Sequence, residues 1–218
     1  MSNNIVVIDF CGTIVDFQSF NPFMEFCLTR KKKKCFLIRH LKIRNVVQRI
    51  NVRFFKRDFY KQYLIRKMKG FLQSDIQTMA KDYYDEVIKE RIIKQTISRI
   101  EEYQENGAKT LILSAGGSDY IKLFAKEHGI DCVIANEFKF DNGKCVGRLK
   151  RLDCIGNQKV TYLKEALDDI TDNPIVLAAI SDSDSDLPIL DLAKEKIVIS
   201  YKTHQLWVKN DMEEIIYG

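Results

Sequence analysis

Apolar positions along this chain fall into two regimes. Ile5–Ile8 is a short β-branched run with no polar alternation, which predicts a strand covered on both faces. From about residue 21 to 104 the period becomes helical. Leu37 and Leu41, then Val46, Val47, Ile50 and Phe54, Phe59 and Tyr63, and Ile76, Met79, Tyr83 and Val87 recur at three- and four-residue steps, with almost no Pro or Gly between them. After Gly107, a helix-ending glycine, short apolar runs return as Thr110–Leu113, Cys132–Ala135, Ile175–Ile180 and Lys196–Ser200, the last read as the final strand. Helices are expected between them over Ser118–His128, closed by Gly129, and over about Gln158–Asp169. Asp141-Asn142-Gly143 between Phe138–Phe140 and Lys144–Val146 predicts a hairpin, because Asn-Gly accepts the positive φ angles of a tight turn.

A strand, a helical insertion and then repeated strand–helix units predict an α/β fold: a doubly wound, Rossmann-like parallel sheet with an inserted α-helical cap. The expected division is a core of residues 1–18 and 105–218 and a cap of 19–104. Such sheets bind ligands at the carboxyl ends of their strands, where the strand order reverses.

Charge sharpens that division. The chain of 218 residues has a formal net charge of +5, yet residues 30 to 69 hold 16 Lys or Arg against one acid, Asp58, leaving 19 bases and 29 acids for the rest. A cationic insertion on an anionic core points to a polyanionic partner, with the acidic core as the internal alternative. No apolar stretch approaches the ~20 residues that span a bilayer, and MSNN does not begin a secretion signal, so a cytoplasmic location is expected. The six cysteines show no metal-ligand spacing and read as reduced.

Four stretches place reactive groups where strands end or helices begin: Asp9 in IVVIDFCGT, Ser114 in LILSAGG, Lys159 in GNQKV, and Asp182 with Asp186 in AAISDSDSDLPIL. Each alone is an ordinary cap, turn or solvated lysine. In this order and spacing they resemble the haloacid dehalogenase superfamily, in particular its phosphoserine phosphatase-like branch, whose pattern runs DxDGT, a Ser or Thr after the second strand, a later Lys, and GDSxxDLPML. The resemblance covers nearly the whole chain. It implies a Mg²⁺-dependent phosphatase in which Asp9 is the nucleophile and forms an aspartyl-phosphate. Asp9, Asp182 and the backbone carbonyl of Cys11 would hold the metal, with Asp186 a ligand through water or a support. Ser114 with the amides of Ala115 and Gly116 would hold phosphoryl oxygens, and Lys159 would offset the charge of substrate and Asp9. Asp184 and Asp16 rank below these.

Cys11 departs from the pattern, which has there an Asp that protonates the leaving oxygen and then activates water. A carbonyl comes with any residue, so metal binding survives the exchange, whereas the acid–base step, worth roughly 10²–10⁴ in rate, suffers. Surrounded by carboxylates, the thiol is expected to stay protonated. The resemblance implies a small-molecule or lipid-linked phosphomonoester substrate; the rival readings are a phosphotransferase and a non-catalytic phospholigand- or membrane-binding protein. The basic cap suits peripheral contact with an anionic membrane, at about 1 kcal/mol per nearby cation. Nucleic acid is disfavoured, since no reading motif accompanies the charge. Oligomeric state leaves no signal in the sequence.

Overall fold

The computed structural model describes residues 3–31, 59–170 and 172–218. Eight strands and seven α-helices are described: β1 (Asn4–Ile8), α1 (Phe20–Arg30), α2 (Phe59–Lys67), α3 (Gln73–Tyr83), α4 (Lys94–Glu105), β2 (Lys109–Gly117), α5 (Ser118–Glu127), β3 (Cys132–Asn136), β4 (Phe138–Asp141), β5 (Lys144–Leu149), α6 (Asn157–Ile170), β6 (Ile175–Ser181), α7 (Leu187–Leu190), β7 (Glu195–Tyr201) and β8 (Glu213–Tyr217). A π-helical turn, Tyr84–Ile88, continues α3.

Six strands form one parallel sheet in the order β3-β2-β1-β6-β7-β8. β1 is central, and its Ile5, Val6, Val7 and Ile8 are all buried, as an uninterrupted β-branched run requires. One apolar layer packs Ile5, Val7, Leu111 and Leu113 against α6 residues Tyr162 and Leu163. The opposite layer joins Val6, Ile8 and Ile112 to the helices between β1 and β2. Lys196–Ser200 is not the final strand: β8 follows it and pairs with it in parallel at the sheet edge. Glu213-Glu214 opens β8 and leaves an apolar run of three, Ile215-Ile216-Tyr217, too short to announce a strand.

Helix α4, on the cap side of the expected division, packs against the sheet. Thr96 Oγ1 donates to the Thr13 carbonyl at 2.6 Å, Ile93 N–H donates to the Ile14 carbonyl at 2.8 Å, and Arg99 pairs with Glu213 of β8. The β4–β5 hairpin, expected within the core, hydrogen-bonds residues that follow α2. Gly70 N–H donates to the Cys145 carbonyl, Cys145 N–H to that of Phe71, and Gln73 N–H to that of Gly143, each at 2.8 Å. Its turn has φ of 45° at Asn142 and 72° at Gly143, the left-handed pair that Asn-Gly accepts. The expected helices within 32–58, and most of the basic stretch, lie outside the described residues. Cys11, Cys27, Cys132, Cys145 and Cys154 are free thiols.

Phe10 anchors the turn after β1. Fully buried, its ring meets Phe124 edge-on at 5.5 Å and lies 6.1 Å from that of Tyr120, fastening the segment beside Asp9 to α5. Phe10→Ala leaves a cavity there and is expected to lower stability by about 3–5 kcal/mol, read as a lower urea midpoint at unchanged slope.

Candidate functional site

The strand order reverses between β1 and β6, which are neighbours in the sheet but far apart in the chain. Ile8 pairs with Ile180, and Asp9 N–H donates to the Ile180 carbonyl at 2.9 Å. The residues that follow, Asp9 on one strand and Ser181 and Asp182 on the other, leave the carboxyl edge of the sheet side by side. An open α/β sheet has its crevice at this point.

Lys159, in the first turn of α6, points into the crevice from one apolar layer. Its Nζ lies 2.7 Å from Asp9 Oδ1 and 2.7 Å from Asp186 Oδ2, and all three side chains are buried. Ser181 Oγ donates to the same Asp186 oxygen at 2.7 Å. Burial alone would lower the Lys159 pKa, but the charges of Asp9 and Asp186 outweigh it and hold the ammonium above its ordinary value. Burial pushes the Asp9 carboxyl up, Lys159 pulls it back, and the charge of Asp186 adds to the rise. Asp182 is pushed up to about 7 by burial and then by the charge of Asp9. One ammonium therefore pairs with two buried carboxylates, Asp9 and Asp186, while Asp182 lies beside them on the open side of the crevice.

Asp182 lies against the backbone that follows Asp9. Gly12 has φ +88°, and a Cβ there would collide with the Asp182 carboxylate, so only glycine lets the two segments meet. Thr13 Oγ1 donates to Asp182 Oδ1 at 3.3 Å. The Cys11 carbonyl accepts one long contact, 3.5 Å, from Gln18 Nε2. Asp9, Asp182 and this carbonyl form an all-oxygen donor set of the kind Mg²⁺ takes, which leaves most positions to water and substrate. Among the described residues no group of three or more His, Cys, Asp or Glu is placed to hold a metal ion, so such a site would need the Cys11 carbonyl, water and substrate as well. A cleft of about 480 Å³, lined in part by Gly12, Asp16, Gln18, Arg91 and Asp182, opens this side to solvent.

Ser114 enters from β2. The register with β3 breaks between Ser114 and Gly117, where Ala115 and Gly116 bulge out of the ladder. Gly116 N–H donates to Ser114 Oγ at 3.1 Å, and that hydroxyl faces Cys11 Sγ at 3.9 Å. The thiol also meets Ser19 Oγ at 3.1 Å, which lies 2.7 Å from the Tyr120 hydroxyl. Burial, with the charge of Asp9 added, raises the Cys11 pKa and holds it as S–H.

A family model for haloacid dehalogenase-like hydrolases matches residues 6–191. The chain belongs to that family. No curated protein matches the sequence. Among solved structures, a protein of unknown function from Bordetella pertussis Tohama I superposes at TM-score 0.73 and 14% identity, with 91% of each chain covered. A substrate-bound phosphoserine phosphatase gives 0.61 and 16%, over 91% of this chain and 87% of the other. A phospho-aspartyl intermediate analogue of phosphoserine phosphatase gives 0.58 and 16%, over 89% and 85%. The fold is thus a Rossmann-like hydrolase core of the phosphoserine phosphatase type. None of the helices among the described residues is long and apolar enough to cross a membrane.

Within this hydrolase the expected residues Asp9, Cys11, Ser114, Lys159, Asp182 and Asp186 surround one crevice, with Ala115 and Gly116 in the bulge beside Ser114. Asp184 and Asp16 stand apart: Asp184 opens a 3-10 turn, and Asp16 pairs with Arg91 at 2.5 Å. Thr13, Ser19, Tyr120 and Ser181 join the site without having been singled out in the sequence; Thr13 and Ser181 adjoin motif residues, whereas Ser19 and Tyr120 carry no local signal. Of the basic stretch, Arg30 and Lys31 pair with Glu86 and Asp75, while Lys61 crosses to Asp153 at 2.8 Å.

Gly12→Ala places a side chain in the left-handed region and against the Asp182 carboxylate. It is expected to destabilise the protein by about 1–3 kcal/mol, measured by chemical denaturation, because both strains act at once.

Proposed function

We propose that this hydrolase cleaves phosphomonoesters through an aspartyl-phosphate on Asp9, with Mg²⁺ bound by Asp9, Asp182 and the Cys11 carbonyl. The observation that carries the reading is the buried Lys159 ammonium, 2.7 Å from both Asp9 and Asp186 where β1 and β6 diverge. A nucleophilic carboxylate beside a phosphate dianion needs its charge offset and its direction fixed, and Lys159 does both. Mg²⁺, when bound, supplies positive charge to Asp9 and the phosphoryl group and lowers their mutual repulsion. The likeness to phosphoserine phosphatases, one solved as a phospho-aspartyl analogue, supports the same chemistry.

In this reading Asp9 attacks phosphorus along the line of the departing oxygen, while Ser114 Oγ and the Gly116 amide hold equatorial oxygens. Asp186 and Ser181 keep Lys159 aimed at the reacting carboxylate. Cys11 is the weak member. Its thiol, with a pKa raised by burial, is a weak acid for a leaving alkoxide and a poor base for the water that must then cleave the acyl phosphate. The enzyme therefore favours substrates with good leaving groups, such as aryl phosphate esters or acyl phosphates. A small or lipid-linked anionic phosphomonoester remains the substrate class. Peripheral membrane contact through the basic insertion belongs to the same proposal.

With Mg²⁺, wild-type protein is expected to hydrolyse an aryl phosphate faster than an alkyl phosphate, and Asp9→Asn or a chelator to abolish both activities. Cys11→Asp is expected to raise alkyl phosphate turnover by about 10²-fold in steady-state assays, the low end of an acid–base contribution. A wild type inert on both esters, with no rescue by Cys11→Asp, would transfer the case to a phospholigand-binding protein.

A further inference from the structure

Lys61 sits on helix α2 of the insertion, yet its ammonium is buried among groups of the sheet domain. Nζ lies 2.8 Å from Asp153 Oδ1 and 3.3 Å from the Ala115 carbonyl, and 5.2 Å from the centre of the Phe20 ring. Asn136, at the end of β3, completes the cluster. Its Nδ2 donates to the Ala115 carbonyl at 2.8 Å and to Asp153 Oδ1 at 2.7 Å, and its Oδ1 accepts Cys154 N–H at 3.1 Å. The cluster therefore holds the bulge after Ser114 and also the segment leading into the helix of Lys159.

The Ala115 carbonyl and the Gly116 N–H belong to one planar trans peptide, so they point in opposite directions. Pinning the oxygen with Lys61 and Asn136 sends the Gly116 N–H the other way, toward Ser114 Oγ. An ammonium on the oxygen also polarises the amide, making its N–H a stronger donor. We infer that Lys61 is a positioning residue: docking of the insertion helix sets the direction and strength of the Gly116 amide beside Ser114, so that the anion-binding turn is fully formed only when Lys61 is in place. This rests on the phosphoryl-transfer reading of the same crevice. It adds a condition to it, that a residue of the insertion completes the phosphate cradle without touching substrate.

The test compares wild type, Lys61→Met and Asp153→Asn, the last keeping the shape of the cluster should Lys61→Met fail to fold. Four quantities are read: hydrogen exchange and ¹⁵N shift of the Gly116 amide, the affinity for inorganic phosphate with Mg²⁺ by calorimetry, and turnover of an aryl phosphate. Expected are Gly116 exchange about tenfold faster, with Leu111 and Leu113 amides unchanged, and phosphate affinity lower by about tenfold, as for one lost hydrogen bond to a charged group. KM is expected to rise more than kcat falls. A Gly116 amide that exchanges and resonates as in wild type in both variants overturns the inference, whatever happens to activity. A Gly116 amide that responds while wild-type protein neither binds phosphate nor hydrolyses the ester supports the positioning role and removes the functional reading instead.

Discussion

A single buried ammonium governs the arrangement of this molecule's crevice. Lys159 holds Asp9, at the end of the first strand, and Asp186, behind the sixth, within one hydrogen-bond length each. Taking three charged groups out of water costs several kcal/mol per ion, and only close mutual pairing offsets it. Removing the lysine would leave two carboxylates facing each other in a dry space. The parallel pairing of β1 and β6, the Ser181 hydroxyl on Asp186 and the apolar packing of α6 all converge on keeping that cation in place. Even so, carboxylates outnumber the cation in the crevice: Asp182 takes its described side-chain hydrogen bond from Thr13, and burial, then the charge of Asp9, raises its pKa. Sites that retain such an excess are suited to a bound cation and costly without one.

Cys11 stands where the resemblance to the family implies an acid, and its surroundings are those of a small buried hydroxyl-bonding group. Ser19, Ser114 and Tyr120 form a chain of neutral donors and acceptors around the thiol. Tyr83 closes it by donating to the Ser19 carbonyl at 3.0 Å. A carboxylate here would be ringed by hydroxyls able to donate to it, so the pocket has not been rebuilt as an apolar one around the sulfur. The Cys11 carbonyl that the metal reading needs belongs to the backbone and does not depend on the side chain.

Much of this was legible along the chain. The strands announced themselves because buried parallel strands are short apolar runs, and Asn142-Gly143 marked its turn because few residues accept two positive φ angles. Asp9, Lys159 and Asp182 were found through a motif whose spacing encodes their convergence. β8 escaped because it opens on Glu213-Glu214 and its apolar run, Ile215-Ile216-Tyr217, is too short to read as a strand, so its place depends on pairing with β7. Lys61, Asn136 and Asp153 escaped for a different reason. Each is unremarkable among its neighbours, and their cluster exists only because the insertion folds back onto the turn after Ser114, a contact that periodicity does not record.

The two flanks of the crevice differ in their access to water, and this bears on how such a site works. On the β6 side, Asp182 lines an open cleft with Gly12, Asp16, Gln18 and Arg91. On the β2 side, Ser114, Cys11, Ser19 and Lys159 are buried under the helices that follow β1 and under α6. In the proposed mechanism a cation and its water would reach Asp182 from solvent, while the face that would meet the anion is built of dry, fixed dipoles. Low local dielectric strengthens each of those dipoles, and fixed orientation spares them reorganisation when charge develops. The same dryness makes every donor there depend on its supports, since a misdirected amide has no water to replace it. Helix α2 contributes one of those supports, Lys61, from outside the sheet, so that in the positioning role inferred for it the Gly116 peptide depends on a residue that does not itself meet substrate.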